Sequence, residues 1–476
     1  MFSFTIVLVI YASFLIFIGL LASRSTHTHH HFLLGNRTLG AVTTALGVGA
    51  SDMSGWLLMA LPGAIFVYGA NQLWMPLGLV IGAYINWKFI SKRLRIETEK
   101  HQDSLTISSY FFHKFGNGLY LRLFSSLLII FFFVIYMAAG FVAMAFLLQS
   151  VFHLSYVNAL LLGSVVIVLY TTLGGFLAIN WIDVFQGLLI LFALIIVPLI
   201  TFQAIPHTPV RALHFTPYSF FPSAQNKLVT IALLGWGLGY FGQPHILSRF
   251  MAIKNHAYLN HARRICMTWM ILSLTGAVFV GFAGQLYFHG SLKNPEMVFL
   301  ILSKNLFNPV LFGVLFAAVI SAIMSTISAQ MIACCSAITE DLYTIFLPKH
   351  YLKKQESLLW INRIIILIIS IVTLILAIGA KGSTLLSLVG YAWSGFGASF
   401  GPIILISLYF KIKKEAAFSG MITGAVTVVL WHLAKQHFGG IFNIYELTPA
   451  FLVSVMVIVV VTFFQRLKAS REMLRF

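Results

Sequence analysis

Apolar stretches long enough to cross a hydrocarbon core of about 30 Å, roughly 20 helical residues each, recur along nearly the whole chain. The pattern predicts thirteen membrane-spanning helices, over residues 4–22, 43–66, 71–91, 120–149, 156–174, 182–202, 228–247, 266–288, 297–340, 358–379, 383–410, 417–434 and 447–465. An odd number puts the termini on opposite sides of the membrane.

Two stretches do not read as ordinary membrane helix. Residues 47–63, GVGASDMSGWLLMALPG, gather Gly47, Gly49, Ser51, Ser54, Gly55, Pro62 and Gly63, and residues 235–244, GWGLGYFGQP, hold four glycines with Gln243 and Pro244. Backbone polar groups in lipid must be satisfied inside the helix, and non-helical backbone is tolerated only where it lines a cavity. Both stretches are therefore expected to be discontinuous helices. Five spans separate them, so each would open a five-helix unit, and an odd number inverts the second unit relative to the first. Close packing of helices on small residues is the plainer alternative.

Charge orients this arrangement. All but six of the 30 Lys and Arg residues fall on one face, the exceptions being Arg211, Lys227, Lys293, Lys304, Lys381 and Lys435. Basic residues accumulate on the cytoplasmic side, so the N-terminus is expected outside and the C-terminus inside. The net charge of +18 thus belongs to short loops at helix ends and implies no nucleic-acid partner. Residues 4–22 lack a basic leader and read as an uncleaved helix.

Composition agrees: 59% hydrophobic and 9% charged residues, with a mean hydropathy of +0.94, describe a protein of the bilayer. Cys266, Cys334 and Cys335 show no disulfide or zinc spacing. One membrane domain over 1–476 is expected, with core repeats at about 43–202 and 228–410.

Candidate chemistry sits in the unusual stretches. Asp52 is a carboxylate at membrane depth with nothing basic near it in sequence, and such a group usually faces an ion or substrate path. In SAIMSTIS, residues 321–328, helical spacing places Ala322, Ser325 and Thr326 on one face. Two hydroxyls there suit a hard cation, which takes oxygen ligands; hydroxyls bonded back to their own helix are the commoner arrangement. No clustered acid/base or metal set appears, so an enzyme is not expected.

The blocks GASDMSGWLLMALPGA, GAYINWK, GWGLGYFGQPHILSRFMA, HARRICMTWMIL and CSAITEDLY closely resemble the sodium/solute symporter family, in the same order from about Leu33 to Glu446. The resemblance implies an all-α, leucine-transporter-like core of helices 2–6 and 7–11, with discontinuous helices 2 and 7 and extra helices at 4–22, 417–434 and 447–465. It implies sodium-coupled uptake of L-proline across the bacterial cytoplasmic membrane by alternating access, with no obligatory protein partner. Sodium ligands would be the carbonyls of Ala50, Met53 and Ala322 and the hydroxyls of Ser325 and Thr326, and Asp52 matches a sodium-linked aspartate. Ser54, Gly55, Trp56, Tyr136, Trp236, Tyr240 and Pro244 match substrate-site positions. Arg37 and Asp183 match positions of weight in coupling, against a plainer reading as surface ion pairs or topology signals.

Departures are local. The stretch STHTHHHFLLGNR carries His27, His29, His30 and His31 where acidic residues would be expected from the resemblance. A solvated loop is the favoured reading, over metal binding or pH sensing. Rival functions are another small amino acid or carboxylate as cargo, proton coupling through Asp52, or a transporter-like sensor.

Overall fold

The computed structural model describes residues 2–205, 227–346, 355–380 and 385–473. Most of the expected outer loop after residue 202, and Arg211, Lys349, Lys353, Lys354, Lys381 and Arg475 of the charge argument, lie outside the described residues. In chain order the main helices are α1 (Phe2–Ser23), α2 (His29–Leu34), α3 (Ala41–Asp52), α4 (Leu61–Tyr68), α5 (Trp74–Ile85), α6 (Ser91–Lys100), α7 (Ile107–Lys114), α8 (Leu119–Phe152) and α9 (Tyr156–Ala204). There follow α10 (Lys227–Leu234), α11 (Pro244–Ala252), α12 (Leu259–Tyr287), α13 (Val298–Leu306), α14 (Pro309–Ser336), α15 (Gln355–Gly379), α16 (Leu385–Tyr409), α17 (Lys414–Phe438) and α18 (Leu447–Met473). The only strand-like pairing among the described residues is a parallel bridge between Leu39 and Ile253.

Ten helical stretches among the described residues are long and apolar enough to cross a membrane. Two of them are composite. Trp56–Lys100 is interrupted at Gly69 (φ 65, ψ −148), and Tyr156–Ala204 at Gly175 (φ 57, ψ −148). These φ values are strained for any L side chain. At Gly175 an added Cβ would also lie 2.7 Å from the Phe32 ring.

Both glycine-rich stretches interrupt their helices. α3 ends at Met53 (φ −88, ψ 74), and a π-helical turn over Trp56–Ala60 leads into α4. After α10 the chain winds as a 3₁₀ helix over Gly235–Gly242, extends at Gln243 (φ −81, ψ 108) and restarts as α11 at Pro244. Proline lacks an N–H and has φ suited to a first helical turn, which explains the restart.

The predicted span 297–340 is divided. α13 stops at Leu306 and α14 begins at Pro309, where the Asn308 side chain accepts the Leu311 amide at 3.0 Å. An Asn cap followed by Pro is a strong start signal hidden inside an apolar run.

α14 and α16 are buried along most of their length. α1, α15, α17 and α18 instead turn rows of Ile, Leu, Val and Phe outward, as a hydrocarbon surround requires. α5 approaches the 3₁₀ stretch backbone to backbone: a Cβ on Gly82 would stand 2.1 Å from the Gly237 carbonyl oxygen, and one on Gly237 2.1 Å from that of Gly78. A backbone cannot swing aside as a side chain can. Gly82→Ala is expected to cost about 1–3 kcal/mol through overpacking. Thermal unfolding in detergent checks this, and an unchanged midpoint would show that the two segments have room to part.

Candidate functional site

The ends of α3 and of the 3₁₀ stretch meet beside the middle of α14. Asp52 is only 2% exposed, and the Tyr240 hydroxyl donates to its Oδ2. The Trp56 indole N–H donates to the Asp52 carbonyl at 3.3 Å, and the Trp56 amide reaches Ser54 Oγ at 3.5 Å. Tyr136, buried on α8, faces both Asp52 and Ser54. Gly55 lets α14 come close, since a Cβ there would stand 2.9 Å from Ile323.

α14 supplies the other half of this junction. Ser325 Oγ lies 2.8 Å from the Ala50 carbonyl oxygen and 3.2 Å from that of Ala322, and Thr326 Oγ1 lies 3.2 Å from the Ala322 carbonyl. Four of the five oxygen-bearing positions expected around a cation are thereby linked by contacts across two helices. The fifth, Met53, is fully buried where α3 leaves helical geometry. Ser325 thus both bonds back to its own helix and bridges to α3.

The remaining candidates are distributed. Trp236 stacks on Tyr445 (centroids 4.6 Å apart, planes at 15°), while its carbonyl accepts the Trp393 indole N–H at 2.8 Å. Trp393 also meets the Tyr240 ring edge-on at 5.2 Å. Pro244 lines a separate small cavity of 30 Å³ with Leu33, Ser248, Arg249, Ala333 and Asp341. A larger cavity of 510 Å³ lies against α4, lined by Met59, Val67, Tyr68, Phe146 and Glu296 among others.

Asp183 is no surface group. It is fully buried, and its Oδ2 accepts from Arg249 Nη2 at 2.8 Å; Arg249 is itself 1% exposed and donates to the His245 carbonyl at 2.7 Å. Gly47 makes room for the pair, because a Cβ there would lie 2.6 Å from Asn180 Oδ1 and 3.0 Å from Arg249 Nε. Arg37 ties loops together: Nη1 donates to the Met251 carbonyl at 2.5 Å, Nη2 to that of Ser104 at 3.0 Å, and Nε lies 2.6 Å from Asp103. His29 also departs from the expected solvated loop, being 2% exposed and 3.1 Å from Glu340. Among the described residues no group of three His, Cys, Asp or Glu side chains is placed to hold a metal ion.

The sequence profile described as the sodium:solute symporter family matches residues 32–424. The chain belongs to this family. It is 44% identical to the sodium/proline symporter of Escherichia coli (strain K12), covering 98% of this chain and 94% of that one. It is 42% identical to the high-affinity proline transporter PutP of Bacillus subtilis (strain 168), over 93% of this chain and 94% of the relative. The osmoregulated proline transporter OpuE of the same organism is 41% identical over 95% of this chain and 93% of its own length. Among solved structures, a sodium-coupled sialic acid symporter in a substrate-bound, outward-open state superposes with a TM-score of 0.81 at 17% identity, covering 97% of this chain and 96% of the other. Mhp1, a nucleobase-cation-symport-1 transporter in a closed conformation, gives a TM-score of 0.55 at 12% identity, covering 91% and 94%. At these identities the likeness is one of fold.

The symporter's centre thus gathers Ala50, Asp52, Met53, Ser54, Gly55, Trp56, Tyr136, Tyr240, Ala322, Ser325 and Thr326, while Trp236 and Pro244 stand toward its edges. Sequence reasoning missed Trp393 and Tyr445, and it noted Gln243 only as part of the broken stretch; the Gln243 amide donates to the carbonyls of Gly239 and Trp393, both at 3.2 Å. It also missed Arg249, although an arginine seven residues beyond a broken apolar helix's last glycine could have suggested a buried partner for an acid. For Trp393 and Tyr445 no sequence signal was available among so many aromatics.

Proposed function

We propose that this family member is a sodium-driven symporter that takes up L-proline by alternating access. It is a transporter and not an enzyme. The observation that carries the reading is the junction of α3 and α14, where Ser325 Oγ stands 2.8 Å from the Ala50 carbonyl. A hard cation recruits oxygen ligands of this kind, and one that bridged these two helices would order the broken segment. In this reading Ala50, Met53, Ala322, Ser325 and Thr326 hold sodium, and the Asp52 carboxylate supplies negative potential close by.

The proline pocket is then bounded by Ser54, Gly55, Trp56 and Tyr136 on one side and Tyr240 on the other, with Trp236 and Pro244 at its margins. Aromatic walls suit an apolar pyrrolidine ring, and freed backbone groups suit a carboxylate and a secondary ammonium. Proline is also the cargo in the names of the relatives at 41–44% identity. The composite helices divided at Gly69 and Gly175, together with the two broken ones, support thirteen crossings in one membrane domain. Helices 2–6 and 7–11 would be its inverted repeats, in a bacterial cytoplasmic membrane, N-terminus out and C-terminus in. Arg37 and Asp183 act in coupling by tying loops and half-helices on the inner side.

The energetics are sufficient. A potential of 100 mV supplies about 2.3 kcal/mol per charge, and a tenfold sodium gradient about 1.4 kcal/mol. With one sodium per substrate, the total of about 3.7 kcal/mol sustains several hundredfold accumulation.

Labelled proline counterflow in proteoliposomes, with and without sodium, tests the function. Sodium-stimulated exchange is expected; exchange indifferent to sodium would point to proton coupling, and exchange only with another amino acid would change the cargo. Ser325→Ala and Thr326→Ala are each expected to raise the sodium concentration for half-maximal uptake about tenfold, the worth of one lost ligand at roughly 1.4 kcal/mol. An unchanged sodium titration in both would leave these hydroxyls as helix-bonding groups alone.

A further inference from the structure

Four histidines lie between α1 and Arg37, and one of them is built into the protein. His29, the first residue of α2, has Nε2 3.1 Å from Glu340 Oε2, in the turn that follows α14, and Nδ1 3.0 Å from the Asn362 Nδ2 of α15. On the other edge of Asn362 stands Cys335, whose Sγ lies 3.4 Å from the Asn362 backbone carbonyl and makes a weak contact of 3.9 Å with its Oδ1. Glu340 continues the network: Arg122 Nη2, at the start of α8, donates to its carbonyl at 2.5 Å and approaches its Oε1 at 3.4 Å. Arg122 Nε also donates to Asp341 Oδ1 at 3.2 Å, an oxygen that accepts the Thr106 hydroxyl at 2.8 Å. Thr106 caps α7. Through these bonds α2, α7, α8, α15 and the end of α14 are held together.

This network stands at one end of the cavity of 30 Å³ that Pro244 and Arg249 line, since Asp341, Thr106 and Leu33 line it too. Leu33 belongs to α2, so a displacement of α2 and the end of α14 would widen the passage below the broken helices. On the topology proposed above this is the cytoplasmic end of the path.

We infer that His29 is a positioning residue of the inner gate: it holds Glu340, and through it the Arg122–Asp341 contact, in the closed arrangement, and its protonation tightens the closure. The inference rests on the transport reading for its meaning, although not for its test. With a neutral imidazole, Nε2–H donates to Glu340 and Nδ1 accepts from Asn362. Adding a proton makes the Glu340 bond charge-assisted, roughly doubling its strength. Asn362 keeps its bond by turning its amide over, giving up only the weak thiol contact.

The surrounding charges allow this assignment. Among the described residues, Glu340, Asp341 and Arg122 are the charged groups of the network, and His30, His31 and Asp103 are neighbouring titratable groups on the loop side. Desolvation, reinforced by His29, pushes the His30 imidazole below its ordinary value. Asp103 is paired with Arg37, and Arg363 of α15 lies over Trp360. Beneath α2, on α9 and α11, Asp183 and Arg249 face each other, and His245 packs edge-on to Phe133.

Spin labels at Ser25→Cys, just before α2, and Tyr343→Cys, in the turn after α14, with Cys266 and Cys334 changed to serine and the fully buried Cys335 kept, report the separation of these two ends by pulsed electron resonance. The separated population is expected to rise about fivefold between pH 5.5 and pH 8. His29→Gln keeps a hydrogen bond to Glu340 without a titrating group and should flatten this response, and Glu340→Gln should flatten it as well. A separation that ignores pH, or that responds equally in both variants, overturns the proposal. Sodium-driven proline uptake by each variant shows that it folds. Absence of proline uptake in the unaltered protein would instead strike the transport reading and leave the distance measurement standing.

Discussion

Asp52→Asn should raise the sodium requirement of uptake by about a hundredfold while leaving the protein in the membrane. Two unit charges 4 Å apart attract by about 4 kcal/mol at an effective dielectric of 20. Loss of about two-thirds of such a term is two powers of ten in an equilibrium constant. Insertion and folding should not suffer, because the substitution removes a charge from a position that is only 2% exposed. The asparagine carbonyl can still accept from the Tyr240 hydroxyl that now donates to Asp52 Oδ2. A sodium titration of labelled proline uptake, with membrane-protein yield measured alongside, checks both halves. A normal titration would remove Asp52 from the coupling mechanism.

Asp183→Ala has the opposite character. It should damage folding first, because Arg249, 1% exposed and 2.8 Å from the carboxylate, would keep a buried charge without its partner. Removing one member of a buried ion pair typically costs about 3–5 kcal/mol, whereas replacing both with apolar groups of similar volume is often tolerated. Asp183→Leu combined with Arg249→Met should therefore recover much of the folded yield that Asp183→Ala loses. Monodisperse protein on size exclusion measures it. Full yield from Asp183→Ala alone would show that the guanidinium finds another partner and that the pair is dispensable.

Much of this was legible in the chain because bilayer rules are severe. Helix length follows from bilayer thickness, the two interrupted helices from the need to satisfy every backbone group in hydrocarbon, and the interest of Asp52 from the cost of a charge at membrane depth. Gly175 was legible as the end of a span and not as a left-handed corner, since hydropathy carries no φ. The cap at Asn308 was hidden for the same reason: one polar residue does not interrupt an apolar average, yet with Pro309 it starts a new helix. Partners distant in sequence were least legible. Nothing local links Asp183 to Arg249, or His29 to Glu340, and a histidine run in a loop reads as solvated until packing buries one member.

The Ser325 hydroxyl has a further consequence for how tightly a cation can be held. It donates a proton toward the Ala50 carbonyl, the same oxygen that is proposed as a sodium ligand. An arriving ion needs lone pairs from both atoms, so the hydrogen must rotate away first. Ligation there would be an exchange of one bridge for another, and the net affinity would be the difference between two strong interactions. On the proposed reading such a competitor inside the site would work as a counterweight: it would keep the two helices joined on the return stroke and ease release of the ion.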